Sequence, residues 1–183
     1  HFSNYIYLKP TGALYLGFDV FRYEQIDANL YGSESMLGVN FPFYERLRFE
    51  TNFSIVTGRL SDGIYLPFIP PAKWTQQFRF RFENGKRLNN VSFFVISEEH
   101  FAQDHPAEFE TRTDAYWLLN AGIHGNWQTK SRKFVFSVTG NNLLNKNYYD
   151  HLSRFKEYGI HNIGRNIVLN IHIPISVTKN QKI

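Results

Sequence analysis

The residues best placed to do chemistry lie between 97 and 111, where Glu98, Glu99, His100, Asp104, His105, Glu108 and Glu110 crowd a stretch read as a loop. Imidazole and carboxylate groups together suit zinc and related divalent ions. His100 and His105 would be the metal ligands, but their spacing of five matches no rigid motif outside a helix. A solvated acidic loop that binds nothing is the simpler reading. A second group, Asp150-His151 followed by Ser153, has the residue types of a nucleophile, base and orienter. Working triads draw these from distant segments so that each is within hydrogen-bond reach of the next. Neighbours on one loop seldom meet that geometry, so no catalytic residue is expected here. Asp150 and His151 instead join Glu98, Glu99, His100, Asp104 and His105 as candidates for a ligand-binding loop cluster.

The elements that must carry these loops are strands. Alternation with period two recurs along the chain, and helical periodicity over a useful length is missing. Ile167, Leu169, Ile171 and Ile173 oppose Asn166, Val168, Asn170 and His172. Phe78, Phe80 and Phe82 oppose Gln77, Arg79 and Arg81, while Leu47, Phe49, Thr51, Phe53 and Ile55 oppose Arg48, Glu50, Asn52, Ser54 and Val56. One face is greasy and closes on Trp or Tyr; the other carries Arg, Glu, Asn, His and Gly. A barrel wall with aromatic girdles around a hydrated interior has this pattern, although a soluble sandwich with one wet face also alternates. On the barrel reading Arg48, Glu50, Arg79, Arg81, His124 and His172 face the lumen. They would line a substrate path, hold an internal domain, or simply pair with one another and with water. Trp74, Trp117 and Trp127 are expected at the rims.

Composition narrows the class. The chain has 183 residues, the size of one domain. Its formal charge of +4 is spread without basic runs, which argues against a nucleic-acid partner. Aromatic residues make up 17% while charged residues supply only 20%, and mean hydropathy is nonetheless negative. No stretch approaches the roughly 20 apolar residues that a spanning helix needs. There is no cysteine, so thiolate metal sites and disulfides are excluded.

Strands are expected over 4–9, 25–41, 47–57, 73–82, 91–96, 116–126, 133–141 and 165–173. The links 42–46, 83–90 and 128–132 are short, whereas 10–24, 58–72, 97–115 and 142–164 are long. Short turns at one rim and long loops at the other are the habit of outer-membrane barrels. Eight strands could close a small barrel by themselves, but Gly32, Gly38 and Gly122 on the inner face look too small to fill a narrow bore.

Several runs resemble one family. Asn141-Asn142-Leu143-Leu144-Asn145-Lys146-Asn147-Tyr148-Tyr149, with Gly164-Arg165-Asn166 after it, is similar to the end of a TonB-dependent outer-membrane receptor. Leu66-Pro67-Phe68-Ile69-Pro70-Pro71-Ala72 resembles the Pro-rich entry to an earlier strand. Asp27-Ala28, Gly32 and Glu34 resemble a further landmark, and Glu110-Thr111-x-Thr113-x-x-Tyr116-x-Leu118-Leu119-Asn120 another. The resemblance implies an all-β, antiparallel transmembrane β-barrel segment, about eight strands of a larger, 22-stranded wall. Residues 1–175 would be the C-terminal part of that barrel and 176–183 a polar tail. Pro174 cannot donate to a ladder and should end the last strand, where the family commonly finishes on an aromatic residue.

The implied function is active uptake of a scarce nutrient, such as a metal ion, an iron-siderophore or haem, across the outer membrane of a Gram-negative bacterium. Its partners would be outer-membrane lipid, the N-terminal plug and remaining barrel of the same receptor, and the TonB complex reached through that N-terminal part. No cofactor is expected. The alternatives are a complete small outer-membrane barrel serving as adhesin or structural anchor, and a soluble β-barrel carrier with the two faces inverted.

Overall fold

The computed structural model describes residues 1–42, 46–82, 85, 87–130 and 132–174; the expected polar tail at 176–183 lies outside the described residues. Eight strands run in order: β1 Phe2–Tyr15, β2 Phe18–Asn40, β3 Leu47–Leu60, β4 Lys73–Arg81, β5 Leu88–His100, β6 Tyr116–Gln128, β7 Lys133–Asn141 and β8 Asn166–His172. They form one antiparallel sheet in which every strand pairs with its neighbour in sequence. The rest of the described chain is irregular apart from one 3-10 turn, Lys156–Tyr158. β8 stops at His172, two residues before Pro174. β1 and β8 have no partner in each other, so the described sheet is open and does not close as a small eight-stranded barrel.

Register decides the two faces, because residues paired across antiparallel strands point the same way. Phe49 pairs with Phe78, Phe78 with Val95 and Val95 with Ala121, which continues an apolar face. Arg48 pairs with Arg79, Arg79 with Phe94 and Phe94 with Gly122, on the face that carries the polar side chains. Large apolar side chains stand exposed along one face. On the inner strands Phe78, Phe93 and Trp117 are 48%, 42% and 44% exposed, whereas Ser92 and Asn120 on the polar face are 3% and 8%; on edge strand β8 both faces are exposed. Leaving such an apolar side chain in water forgoes about 1.5–3 kcal/mol, so this face needs a medium or a covering other than water.

Two expectations are corrected. Residues 10–24 are not a long loop: β1 and β2 continue through them and join at a two-residue turn. Leu16 and Gly17 have φ of 52° and 84°, the left-handed pair that matches strand twist in a tight hairpin. Pro10 sits at a pairing position opposite Phe21, and the register shifts between Pro10 and Leu14, where Gly12 has a φ of 74°. The second correction concerns β5, which extends to His100 rather than ending at 96. Glu98, Glu99 and His100 are therefore strand residues.

Two glycines of the polar face, Gly122 and Gly58, stand hard against packed side chains. A Cβ on Gly122 would stand 2.5 Å from the Phe94 ring, and one on Gly58 2.5 Å from a Leu66 methyl. Leu66 arrives there because residues 61–72 fold back over the sheet, with the Leu66 N–H donating to the Gly58 carbonyl at 3.0 Å. It completes a buried cluster with Ala28 and Leu60, flanked by Tyr5, Tyr7, Ile26 and Ile69. Gly58→Ala should expel Leu66 and cost about 1–3 kcal/mol as an overpacked site, with protease cleavage appearing within 61–72. Adding Leu66→Ala should relieve the clash; unchanged cleavage and stability in the single variant would show that the segment is not seated by this contact.

Candidate functional site

The three long links, 61–72, 101–115 and 142–165, meet over the polar face at one rim. Glu110 is the first knot. Its Oε1 accepts from the Phe68 N–H at 2.8 Å and its Oε2 from the Ala107 N–H at 3.0 Å, tying two links together. His151 brings in the third: its Nε2 lies 3.7 Å from Glu110 Oε2, and its Nδ1 shares a 2.8 Å hydrogen bond with Thr113 Oγ1. Lys156 donates to Thr113 Oγ1 at 2.7 Å and also to the Thr111 carbonyl. Burial by itself would raise the Glu110 pKa, but the neighbouring His151 imidazole and the hydrogen bonds from the Phe68 and Ala107 N–H groups outweigh it and hold the carboxyl below its ordinary value. Burial lowers the Lys156 pKa against the pull of Glu110, Glu157 and Asp114.

Tyr116, at the start of β6, is the second knot. Its hydroxyl donates to Asp150 Oδ2 at 3.1 Å and shares a 3.0 Å hydrogen bond with His100 Nδ1. The His100 and Tyr148 rings stack on it at 4.3 and 4.5 Å. His100 Nε2 lies 3.8 Å from Glu98, whose carboxylate also takes the Lys73 ammonium at 2.5 Å and the Asn120 amide at 2.6 Å. Burial and the charges of Asp150 and Glu98 raise the Tyr148 pKa, which keeps this phenol neutral.

The base of the third link is fixed by asparagines. Asn120 Oδ1 accepts from the Asn142 N–H at 2.8 Å, and Asn142 exchanges two hydrogen bonds with the Lys146 backbone at 2.8 and 2.9 Å. Asn145 Oδ1 accepts from the Arg165 N–H at 3.0 Å. Asn142 and Asn145 adopt φ of 48° and 52°, a conformation that asparagine tolerates better than most residues.

The structure distributes the expected ligand residues unevenly. Glu98, His100, Asp150 and His151 join the two knots. Glu99 points to the opposite face, between Trp74 and Trp117. Asp104 pairs with Arg112 at 2.6 Å, and His105 stacks on Tyr65 at 4.9 Å. His100 and His105 do not converge, and no group of three His, Asp or Glu side chains able to hold a metal occurs among the described residues. Ser153 Oγ caps the Phe155 N–H at 3.3 Å while His151 is engaged by Thr113, so these neighbours do not form a nucleophile–base pair.

The register sets Arg48, Glu50, Arg79, Arg81, His124 and His172 on the polar face. Arg48 pairs with Glu50 at 2.8 Å. His124 shares a 3.1 Å hydrogen bond with Ser92. The ligand-cluster candidates left out Thr113, Tyr116 and Lys156, and Glu110, noted in the 97–111 stretch, was not carried into them. Three of them belong to the Glu110-Thr111-x-Thr113-x-x-Tyr116 run, so a motif was the available signal.

Two clefts border the knots. One of about 490 Å³ is lined by Thr113, Tyr116, Lys146, Tyr148, Lys156 and His161. Another of about 380 Å³ lies between Leu8 and Phe21 of the β1–β2 hairpin and Phe68, Glu110, His151 and Lys156. Phenol, ammonium and imidazole groups in such clefts suit recognition by hydrogen bonding and stacking.

No protein-family model matches the chain. Among solved structures it is similar to one described as the copper transporter OprC, with a TM-score of 0.73 and 16% sequence identity over 92% of this chain. The chain spans 26% of that protein's length. The likeness defines the fold class: an antiparallel sheet that matches a section of that transporter's β-barrel. No helix among the described residues is long and apolar enough to cross a membrane, which has no bearing on crossing by strands.

The Glu110 knot makes a pH prediction. A carboxyl depressed by folding contributes stability above its unfolded pKa and loses it as pH falls through the folded value. Cleavage within 101–115 should therefore be slow at neutral pH and accelerate only below the ordinary carboxylate range. Glu110→Ala should make cleavage fast at both pH values; equal protection of wild type and variant would remove Glu110 from this role.

Proposed function

We propose that residues 1–175 are the C-terminal wall section of a TonB-dependent receptor that takes up a scarce nutrient, with a metal or metal chelate as cargo, across the outer membrane of a Gram-negative bacterium. The carrying observation is the exposure of large apolar side chains along one face of the sheet, while on the inner strands the opposite, polar face is mostly half-buried or buried. The positions of the tryptophans support it. Trp74 and Trp117 flank Glu99 in one cross-strand row, and Trp127 pairs with Leu88 and Phe134 near the other rim. Ten residues of β6 separate Trp117 from Trp127, roughly 34 Å along the strand. At a tilt of about 45° that is roughly 24 Å of membrane depth, close to the apolar band of an outer-membrane barrel. The metal cargo rests on the likeness to a copper transporter and on the family motifs, not on a ligand set in this sheet.

In this reading the strands satisfy their backbone groups within the wall, as hydrocarbon demands, and the knotted links hold the clefts over the mouth as a capture surface. The plug, the TonB contact and the remaining strands belong to the N-terminal side of the receptor, and nucleic acid has no part. Transport moves cargo without bond chemistry.

Leu169 pairs with Val138, and Val138 with Ile123, midway between the tryptophan rows. Leu169→Arg in the full-length receptor should cost about 2–4 kcal/mol of refolding stability in bilayers, while Asn170→Arg on the other face should cost little. Equal costs, or recovery of the full-length protein from the aqueous fraction without detergent, would refute the wall reading. Growth of a deletion strain on restricted copper, iron or zinc would sort the cargo.

A further inference from the structure

The two rims differ in charge. At the short-link rim, residues 86–88 and 128–133 hold Lys86, Arg87, Lys130, Arg132 and Lys133 with no acid. At the long-link rim, residues 97–111 hold Glu98, Glu99, Asp104, Glu108 and Glu110 with no Lys or Arg. The fold brings the two basic stretches together. The Gln128 N–H donates to the Arg87 carbonyl at 2.7 Å, and Gln128 pairs with Lys133 across the next ladder. Thr129 closes the second link: its N–H and its hydroxyl both donate to the Arg132 carbonyl, at 2.8 and 2.9 Å, and its Oγ1 accepts from the Arg132 N–H at 3.0 Å. Arg87, Lys130, Arg132 and Lys133 are all exposed, and among the described residues no carboxylate pairs with them.

This cluster stands directly beyond the end of the apolar face. Trp127 pairs with Leu88 on one side and Phe134 on the other, and the Trp127 and Leu88 side chains are about half exposed. Arg87 immediately precedes Leu88, and Lys133 immediately precedes Phe134. Lysine and arginine in such positions lay their stems along apolar surface and carry the charge out to the headgroup level, where tryptophan also sits. An occupant that fits both halves needs an apolar tail and an anionic head. A soluble anion would use the cations alone, and a neutral lipid the apolar row alone.

We infer that the short-link rim binds the phosphate headgroups of anionic phospholipids, with their acyl chains against Leu88, Trp127 and Phe134. The inference rests on the proposed wall reading, which puts the short links at the periplasmic surface of the outer membrane. Basic clusters beside a membrane-spanning segment attract anionic lipid in this way.

The test uses the full-length protein in vesicles of phosphatidylcholine and phosphatidylglycerol, with brominated chains on one lipid or the other at equal mole fraction. Bromine quenches tryptophan at contact range, and the signal of Trp127 is the difference between wild type and Trp127→Phe. Brominated phosphatidylglycerol should quench Trp127 more than brominated phosphatidylcholine does. Combining Lys130→Gln with Arg132→Gln, which keeps the Thr129 turn contacts, should reduce that preference by roughly fivefold per cation removed. Excess inorganic phosphate at fixed ionic strength should leave it intact. Equal quenching by the two lipids, an unchanged preference in the double variant, or displacement by inorganic phosphate would overturn the inference. Those results leave the wall reading standing, whereas no quenching of Trp127 by either lipid would defeat the wall reading and the inference with it.

Discussion

Strand register is the constraint on which the rest of the structure depends. Side chains alternate along a strand, so a single-residue slip would exchange the two faces of that strand completely. With the observed offsets Phe49, Phe78 and Val95 fall in line on one side, and Arg48, Arg79 and Phe94 on the other. Every later feature inherits this choice, including the tryptophan rows, the arginines of the polar face and the side chains that reach the long links.

The long links convert that sheet into something with a shaped surface. They are ordered by few groups, each used more than once. Glu110 serves two backbone donors and His151, Tyr116 serves His100 and Asp150, and Asn142 serves Asn120 and Lys146. Because these groups are partly or fully buried, leaving any of them unmatched would cost about 1–3 kcal/mol. Shared partners also couple the links to one another.

Function follows from the contrast between the faces. In the proposed wall, the exposed apolar side chains would meet lipid and the more buried polar face of the inner strands would turn inward. The likeness to part of a copper transporter agrees at the level of fold. Among the described residues the His, Asp and Glu side chains form no group able to hold a metal.

Alternation of residue types was enough to read eight strands and the two faces, because a period of two is a local property of the chain; their antiparallel order was implied by the family resemblance. Motif residues such as Asn142, Asn145 and Glu110 were visible as words without their meaning. Tertiary structure decided what locality could not. It carried the hairpin through Pro10 and placed Leu66 over Gly58. It separated Glu99 from Glu98, parted His100 from His105, and brought His151 to Glu110 across forty-one positions of sequence. Contacts of that kind depend on where links land after the sheet has formed, and on side chains filling space that only the folded chain creates. Composition and spacing carry no record of either.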